Sequence, residues 1–380
     1  MNSRERVAAA MQLKHPDRVP VMCQPSIGFL LKQCPDIDPV ELWHDQGVYA
    51  AALCRVSRTF EFDGVLVSMI GNVPLDMDAV ESIDRDYREG PRVTYRNGDV
   101  TVYCKDDLPR HSYADHTRPD IETFDPDTIP GTVHFQPVSN DLNALVADAP
   151  EERVRVLREV RNRIGEDYSV HGELYSPFDY FIELFGTEGA LIALLTHPEK
   201  SRAIMNRFAQ AVATFADDQI NAGVDAMKLS SPWTGQKFIS LEMYSQAIVE
   251  GQRMVAEACR ARGVPVYCHT CGAIDDRLEM ILDSGYDGLE CLDPPPLGNT
   301  RLEDAVSRVG DRAFIKGNID PVNMLLNGTR AAIEADARNR LETGMQARGF
   351  ILSTACAIAP ATPAENLALV SETARKHGVY

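Results

Sequence analysis

The fold of this chain is decided by the stretch ARGVPVYCHTCG, residues 261–272. Residues 241–261 carry apolar side chains at helical spacing, which predicts a helix that ends where the stretch begins. Gly263 follows this helix, and glycine is the residue favoured just beyond a helix C-terminus. The β-forming residues that come next predict a strand over 265–269. The stretch therefore indicates one unit of helix, tight turn and strand.

The same pattern recurs along the second half of the chain. GVDAM at 223–227, GYDGL at 285–289 and GDRAF at 310–314 each place a glycine between a helical segment and a β-rich run. Strands that alternate with helices indicate parallel βαβ units. The predicted strands are 19–23, 64–69, 168–173, 226–230, 265–269, 288–292, 313–317 and 350–354. Eight such units favour closure into a (β/α)8 TIM barrel, with an open doubly wound sheet as the alternative.

One long insertion interrupts the predicted barrel after its second strand. We expect a single barrel domain over residues 1–380, with an N-terminal helical extension and an insertion at about 72–165. Within the insertion, RVTYRNGDVTVYC at 92–104 has alternating β-forming residues on both sides of an Asn-Gly pair. Asn-Gly is the strongest short signal for a two-residue hairpin turn. The insertion is therefore predicted to contain a β-hairpin.

Composition excludes several classes of partner. The formal net charge is −18 and the pI is near 4.9, so the average surface repels nucleic-acid phosphates and anionic membranes. No apolar run reaches the length of about 18 residues that a membrane helix needs. The first twenty residues carry charges throughout and do not resemble a signal peptide. Together with this, nine cysteines predict reduced thiols and a cytoplasmic protein.

Three residues with metal-binding side chains lie at predicted strand ends. An alternating strand aims His269 and Cys271 to the same side. Cys356 follows the eighth strand, and all strand C-termini of a barrel meet at one face. Nitrogen and thiolate donors favour zinc over magnesium or calcium.

The sixth strand offers a fourth ligand to the same centre. Glu290 and Cys291 are neighbours on this strand, so alternation allows only one of them to face inward. We expect Glu290 to face the metal and Cys291 to point into the helical layer.

Four segments carry a resemblance to the uroporphyrinogen decarboxylase superfamily, and it covers nearly the whole chain. They are RERVAAAMQLKHPDRVPV at 4–21, AGVDAMKLSSPWTG at 222–235, GNIDP at 317–321 and APATPAENL at 359–367. The decarboxylases of that superfamily use N-terminal arginines and an aspartate to bind their substrate. Here residues 22–33 contain no arginine, Ile70 stands where the aspartate is expected, and Cys356 replaces a histidine.

Within the superfamily, the His-x-Cys pair with a distant cysteine is similar to zinc methyltransferases of the methylcobalamin:coenzyme M type. The resemblance implies that His269, Cys271 and Cys356 bind zinc. Glu290 resembles the carboxylate ligand of the related cobalamin-independent methionine synthases, and we expect it to be an exchangeable fourth ligand. The methyltransferase resemblance also implies methyl transfer between a small substrate, either a thiol or a methoxy or other methyl donor, and methylcobalamin carried by a separate corrinoid protein. The sequence does not separate these substrates.

Further polar residues at strand ends are candidates for the pocket. Besides Glu290, the catalytic candidates are Asn318 and Asp320, and the substrate-binding candidates are His171, Glu173, Tyr175 and Lys228. A structural role is an equal alternative for each.

A metal-independent decarboxylase or lyase and a binding protein without catalysis are the competing functions.

Overall fold

The computed structural model describes residues 1–138 and 142–380. Its strands are β1 Gly64–Leu66, β2 Val80–Asp84, β3 Arg92–Tyr95, β4 Val100–Val102, β5 Arg110–Ser112, β6 Phe135–Pro137, β7 Asn143–Leu145, β8 Ser169–Tyr175, β9 Ala226–Ser230, β10 Val266–Thr270, β11 Gly288–Cys291, β12 Phe314–Ile319 and β13 Phe350–Thr354.

Helices connect and surround these strands. They are α1 Ser3–Met11, α2 Ile27–Gln33, α3 Pro39–His44, α4 Gln46–Thr59, α5 Pro150–Arg153, α6 Arg155–Ile164, α7 Pro177–Phe185, α8 Thr187–Thr196, α9 Pro198–Asn221, α10 Leu241–Met243, α11 Val249–Ala261, α12 Leu278–Asp283, α13 Leu302–Val309, α14 Arg330–Gly344 and α15 Ala364–His377. Within the described residues, no helix combines the length and the apolar content needed to cross a bilayer.

Seven parallel strands among the described residues form one curled sheet in the order β1-β8-β9-β10-β11-β12-β13. The chain segment before β1 closes it. A single parallel bridge joins Val21 to Leu352, and on the other side the Asp63 N–H donates to the Val21 carbonyl at 2.7 Å. The predicted barrel fold is confirmed.

The first predicted strand, 19–23, is reduced to this one bridge. Pro20 has no N–H to donate, and the N–H of Val21 is bound at 2.8 Å by the carboxylate of Asp63. Two of the donors that would extend a ladder are therefore missing or already used.

The predicted hairpin in the insertion is confirmed, because β3 and β4 pair antiparallel around the Asn-Gly turn and β2 and β5 extend the sheet.

The lower part of the barrel interior, at the N-terminal ends of the strands, is mostly apolar. Tyr267 and Phe314 fill it, and α1 covers the N-terminal ends of the strands with Val7 and Met11 in the same buried cluster. Gly288 is required there, since a Cβ at this position would lie 2.5 Å from the Phe314 ring. This end of the barrel therefore serves packing, and the opposite end is available for chemistry.

One buried carboxylate ties the closing segment to the barrel. Asp63 is fully buried and accepts hydrogen bonds from Arg6 at 2.7 Å, from Arg18 at 2.9 Å and from the backbone of Val21. A buried charge is tolerated only when it is paired and hydrogen-bonded, and Asp63 meets both conditions.

We predict that Asp63→Asn lowers the free energy of unfolding by about 3 kcal/mol, because the two arginines lose the charge they share. Urea unfolding followed by circular dichroism measures this change. Asp283→Asn is the matched control, since it removes an exposed pair with Arg312 and should leave the midpoint close to wild type. Equal midpoints for the two variants would contradict the account of barrel closure.

Candidate metal centre

His269, Cys271 and Cys356 meet at the C-terminal ends of the barrel strands. His269 lies on β10, and Cys271 follows that strand by one residue, so both side chains point to the same side. The Sγ of Cys271 is 3.3 Å from Nε2 of His269 and 3.7 Å from Sγ of Cys356. The structure thus brings together the three residues that the sequence selected.

Cys291 is also part of this cluster. The ligand atoms of His269, Cys271 and Cys291 all lie within 4.8 Å of one another. The expectation that Cys291 points into the helical layer is wrong. Its φ of 82° lies in the left-handed region, so β11 ceases to be extended at this residue and the alternation of side chains no longer applies. Glu290 and Cys291 therefore both face the interior.

Glu290 is bound by side chains other than the thiols. Its Oε2 is 2.8 Å from Nδ1 of His269, its Oε1 accepts a hydrogen bond from Lys316, and Lys228 lies 3.6 Å away. Burial alone would raise the pKa of Glu290, but the two lysines hold this pKa well below its ordinary value. An ionised carboxylate only accepts, so Nδ1 of His269 donates to Glu290, and Nε2 is the nitrogen that faces the thiols.

Among the cysteines of the cluster, Cys271 is the one whose thiolate form is favoured. Hydrogen bonds from Cys291 and Cys356 hold the pKa of Cys271 well below the ordinary value for a thiol. Burial raises the pKa of Cys291, and the hydrogen bond to Cys271 raises that of Cys356. The thiolate is the form of cysteine that binds metals. An imidazole nitrogen held by a carboxylate and several cysteine sulfurs are a donor set that fits zinc.

A cavity of about 700 Å³ lies near the cluster, and its described wall consists of other residues. Its wall contains Ala357, the residue after Cys356, and residues that follow β1, β8 and β9, so it opens at the C-terminal end of the barrel. Of the nine cysteines, Cys271 and Cys356 are partly exposed and the others are buried within the described chain. Cys271 and Cys356 are therefore the members of the cluster that retain some exposure to solvent.

The predicted substrate residues divide into two groups. Glu173 and Tyr175 line the cavity. Lys228 lies just behind it, 2.9 Å from Glu173, and donates at 2.7 Å to Gln24 of the cavity wall. His171 belongs to the lower layer, where burial lowers its pKa to about 3 and it hydrogen-bonds with Ser169 and Tyr267.

Asn318 and Asp320 have backbone partners. Asn318 is fully buried, donates at 2.7 Å to the carbonyl of Leu292 and accepts a hydrogen bond from Arg340. Asp320 accepts from the N–H groups of Val322 and Asn323, both at 2.8 Å, and so caps the helical turn that begins at Pro321. These contacts favour structural roles for both residues over the catalytic roles expected from their positions.

Sequence reasoning missed four residues of this region: Gln24, Asp179, Trp233 and Cys291. Asp179 lines the cavity, hydrogen-bonds with Ser176, and has a pKa raised to about 8 by burial. A Ser-x-x-Asp spacing after the third predicted strand is a helix N-terminus signal, and it places Asp179 at the barrel's upper rim. Cys291 was weighed against Glu290 but expected to point outward, and Gln24 and Trp233 carry no local signal that distinguishes them.

Residues 124–377 match the family model described as Uroporphyrinogen decarboxylase (URO-D), and the chain therefore belongs to that family. The resemblance stated from the sequence is confirmed. A solved structure described as a methyltransferase from Methanosarcina mazei covers 99% of this chain and 99% of its own, with a TM-score of 0.73 and 19% identity. That similarity shows a shared fold.

Curated relatives of this chain include both methyltransferases and decarboxylases. Methylcobamide:CoM methyltransferase MtaA of Methanosarcina barkeri (strain Fusaro / DSM 804) is 26% identical over 214 residues, which cover 56% of this chain and 60% of that protein. Uroporphyrinogen decarboxylase of Mycobacterium sp. (strain KMS) is 29% identical over 181 residues, covering 45% and 49%. The chain thus spans less than two thirds of the length of either relative.

Proposed function

We propose that the protein is a zinc-dependent methyltransferase that moves a methyl group between a small substrate and a corrinoid protein. The observation that carries the proposal is the convergence of His269, Cys271, Cys291 and Cys356 beside a cavity at the C-terminal end of the barrel. Active sites of barrel enzymes occur at this end. The methyltransferase relatives support the same reading.

The zinc ligands that we propose are His269, Cys271 and Cys356. Cys291 would then be the donor that a substrate heteroatom could replace, a role first expected of Glu290. Glu290 already holds Nδ1 of His269 and the ammonium group of Lys316, so we assign it to orienting the imidazole. When bound, zinc would lower the pKa of a substrate thiol or polarise a methoxy oxygen.

The protein's own residues supply position and charge. The carboxylate of Glu290 fixes which nitrogen of His269 faces the thiols, and Lys316 and Lys228 keep that carboxylate ionised. The cavity beside Cys356 holds the substrate. Methylcobalamin is expected to arrive on a partner protein and not as a permanent cofactor of this chain.

A metal-independent decarboxylase is the second candidate, because the chain also has decarboxylase relatives. A polycarboxylate substrate needs cationic partners when it is buried. Among the described residues that line the cavity, Arg118 is the one cation, and its guanidinium donates to the backbone carbonyl of Glu183. The cavity therefore favours the methyltransferase.

We predict about one zinc per chain, lost for the most part in Cys271→Ser and Cys356→Ser without loss of the barrel fold. The reason is that each variant removes a thiolate donor while the core keeps its packing. Metal analysis after dialysis measures the zinc, and circular dichroism checks the fold.

Two further variants sharpen this measurement. Cys268→Ser is the matched control, because this buried thiol precedes His269 on the same strand and contacts Thr270 instead of the cluster. It should keep its zinc. Glu290→Gln should weaken zinc binding by about tenfold or more, since the imidazole loses its orienting carboxylate. Zinc retained in both Cys271→Ser and Cys356→Ser, or lost equally in Cys268→Ser, would contradict the proposed ligand set.

We also predict that the zinc-loaded protein transfers the methyl group of methylcobalamin to a small thiol and does not decarboxylate uroporphyrinogen. In the transfer, a bond forms between the thiolate sulfur and the methyl carbon, and the cobalt–carbon bond breaks with its electron pair left on cobalt. The visible absorbance of the corrinoid records this change. Turnover of uroporphyrinogen by metal-free protein, with no demethylation of the corrinoid, would support the decarboxylase instead.

A further inference from the structure

The cavity beside the metal centre has an uneven distribution of charge. Four acidic side chains line it, namely Asp107, Glu173, Asp179 and Glu183, against Arg118 as the one cation in the described part of the wall. The chain as a whole carries a net charge of −18, which adds to the same potential. An anionic group entering this cavity would meet carboxylates on several sides.

The cations near the cavity already have partners. Lys228 contacts Glu173 at 2.9 Å and Gln24 at 2.7 Å, and Lys316 contacts Glu290. Arg118 donates to a backbone carbonyl. Burial raises the pKa of Asp179 to about 8, which makes this group largely neutral at pH 7. Glu173 is likewise paired with Lys228, so Asp107 and Glu183 are the acidic residues of the wall set against its single guanidinium.

The same wall offers groups that suit a cation. Tyr49, Tyr175 and Trp233 line the cavity, and aromatic faces attract ammonium groups. Within the described structure, Oε2 of Glu173 is buried and has no hydrogen-bond partner. A buried acceptor without a donor is costly, and a ligand N–H would satisfy it.

We propose that this cavity selects a small thioether or thiol whose far end is cationic, over one whose far end is anionic. The inference rests on the proposed function, which requires that the sulfur end bind at the His269, Cys271 and Cys356 centre. The carboxylates and aromatic rings of the cavity wall would then hold an ammonium group at the other end of the substrate.

Three probes that share a 2-(methylthio)ethyl chain test this inference on the zinc-loaded protein. They are 2-(methylthio)ethylamine, 2-(methylthio)ethanol and 2-(methylthio)ethanesulfonate, and their dissociation constants are measured by isothermal titration calorimetry. We expect the amine to bind at least about tenfold more tightly than the sulfonate, with the alcohol between them, because opposite charges are attracted in a partly desolvated site.

A charge variant and its control locate the effect. In the double variant Asp107→Asn with Glu183→Gln, the dissociation constant of the sulfonate should exceed that of the amine by about threefold or less. Asp311→Asn makes the same type of change on an exposed residue before β12, at the opposite end of the barrel, and should leave the ratio unchanged.

The outcomes separate the two proposals. Tightest binding of the sulfonate, or an unchanged ratio in the double variant, would overturn the inference about the substrate and leave the methyltransferase proposal standing. If the protein holds no zinc and binds none of the three probes, the proposed function fails and the inference fails with it.

Discussion

The buried row of alternating charges across the barrel is the constraint on which the site depends. Glu173, Lys228, Glu290 and Lys316 are each at most 2% exposed, and neighbouring members are paired by contacts such as the 2.9 Å pair of Lys228 with Glu173. Burying these ions is costly unless every one is paired and hydrogen-bonded. Glu290 consequently has a fixed orientation, and through Nδ1 it fixes the direction in which His269 faces.

The layers along the barrel axis separate stability from chemistry. Apolar side chains and α1 fill the lower end, the charged row crosses the middle, and the thiols lie above it. Because metal ligands at the top contribute little to the core, a change of ligand should affect metal binding more than folding. The cavity at the C-terminal end of the barrel is shaped partly by the insertion, which contributes Asp107 and Arg118 to its wall.

The sequence predicted the parallel barrel and the convergence of His269, Cys271 and Cys356, because both follow from strand periodicity and from the shared direction of the strand ends. It could not predict the inward position of Cys291, which depends on a backbone conformation with positive φ that periodicity does not encode. The pairing of Glu290 with Lys316 was also missed, because these residues are 26 positions apart and meet only through the register of β11 with β12. The closing segment at Val21 was assigned a full strand because the role of Asp63 is not local.

X-ray absorption at the zinc edge of the zinc-loaded resting protein tests the central claim most directly, because it counts sulfur separately from nitrogen and oxygen. The account predicts sulfur from Cys271, Cys291 and Cys356 together with one imidazole nitrogen, and the loss of a single sulfur in Cys291→Ser. A zinc shell that contains a carboxylate oxygen and is unchanged in Cys291→Ser would contradict this account. Glu290 would then bind the metal, and its contacts with the lysines would not keep it from doing so.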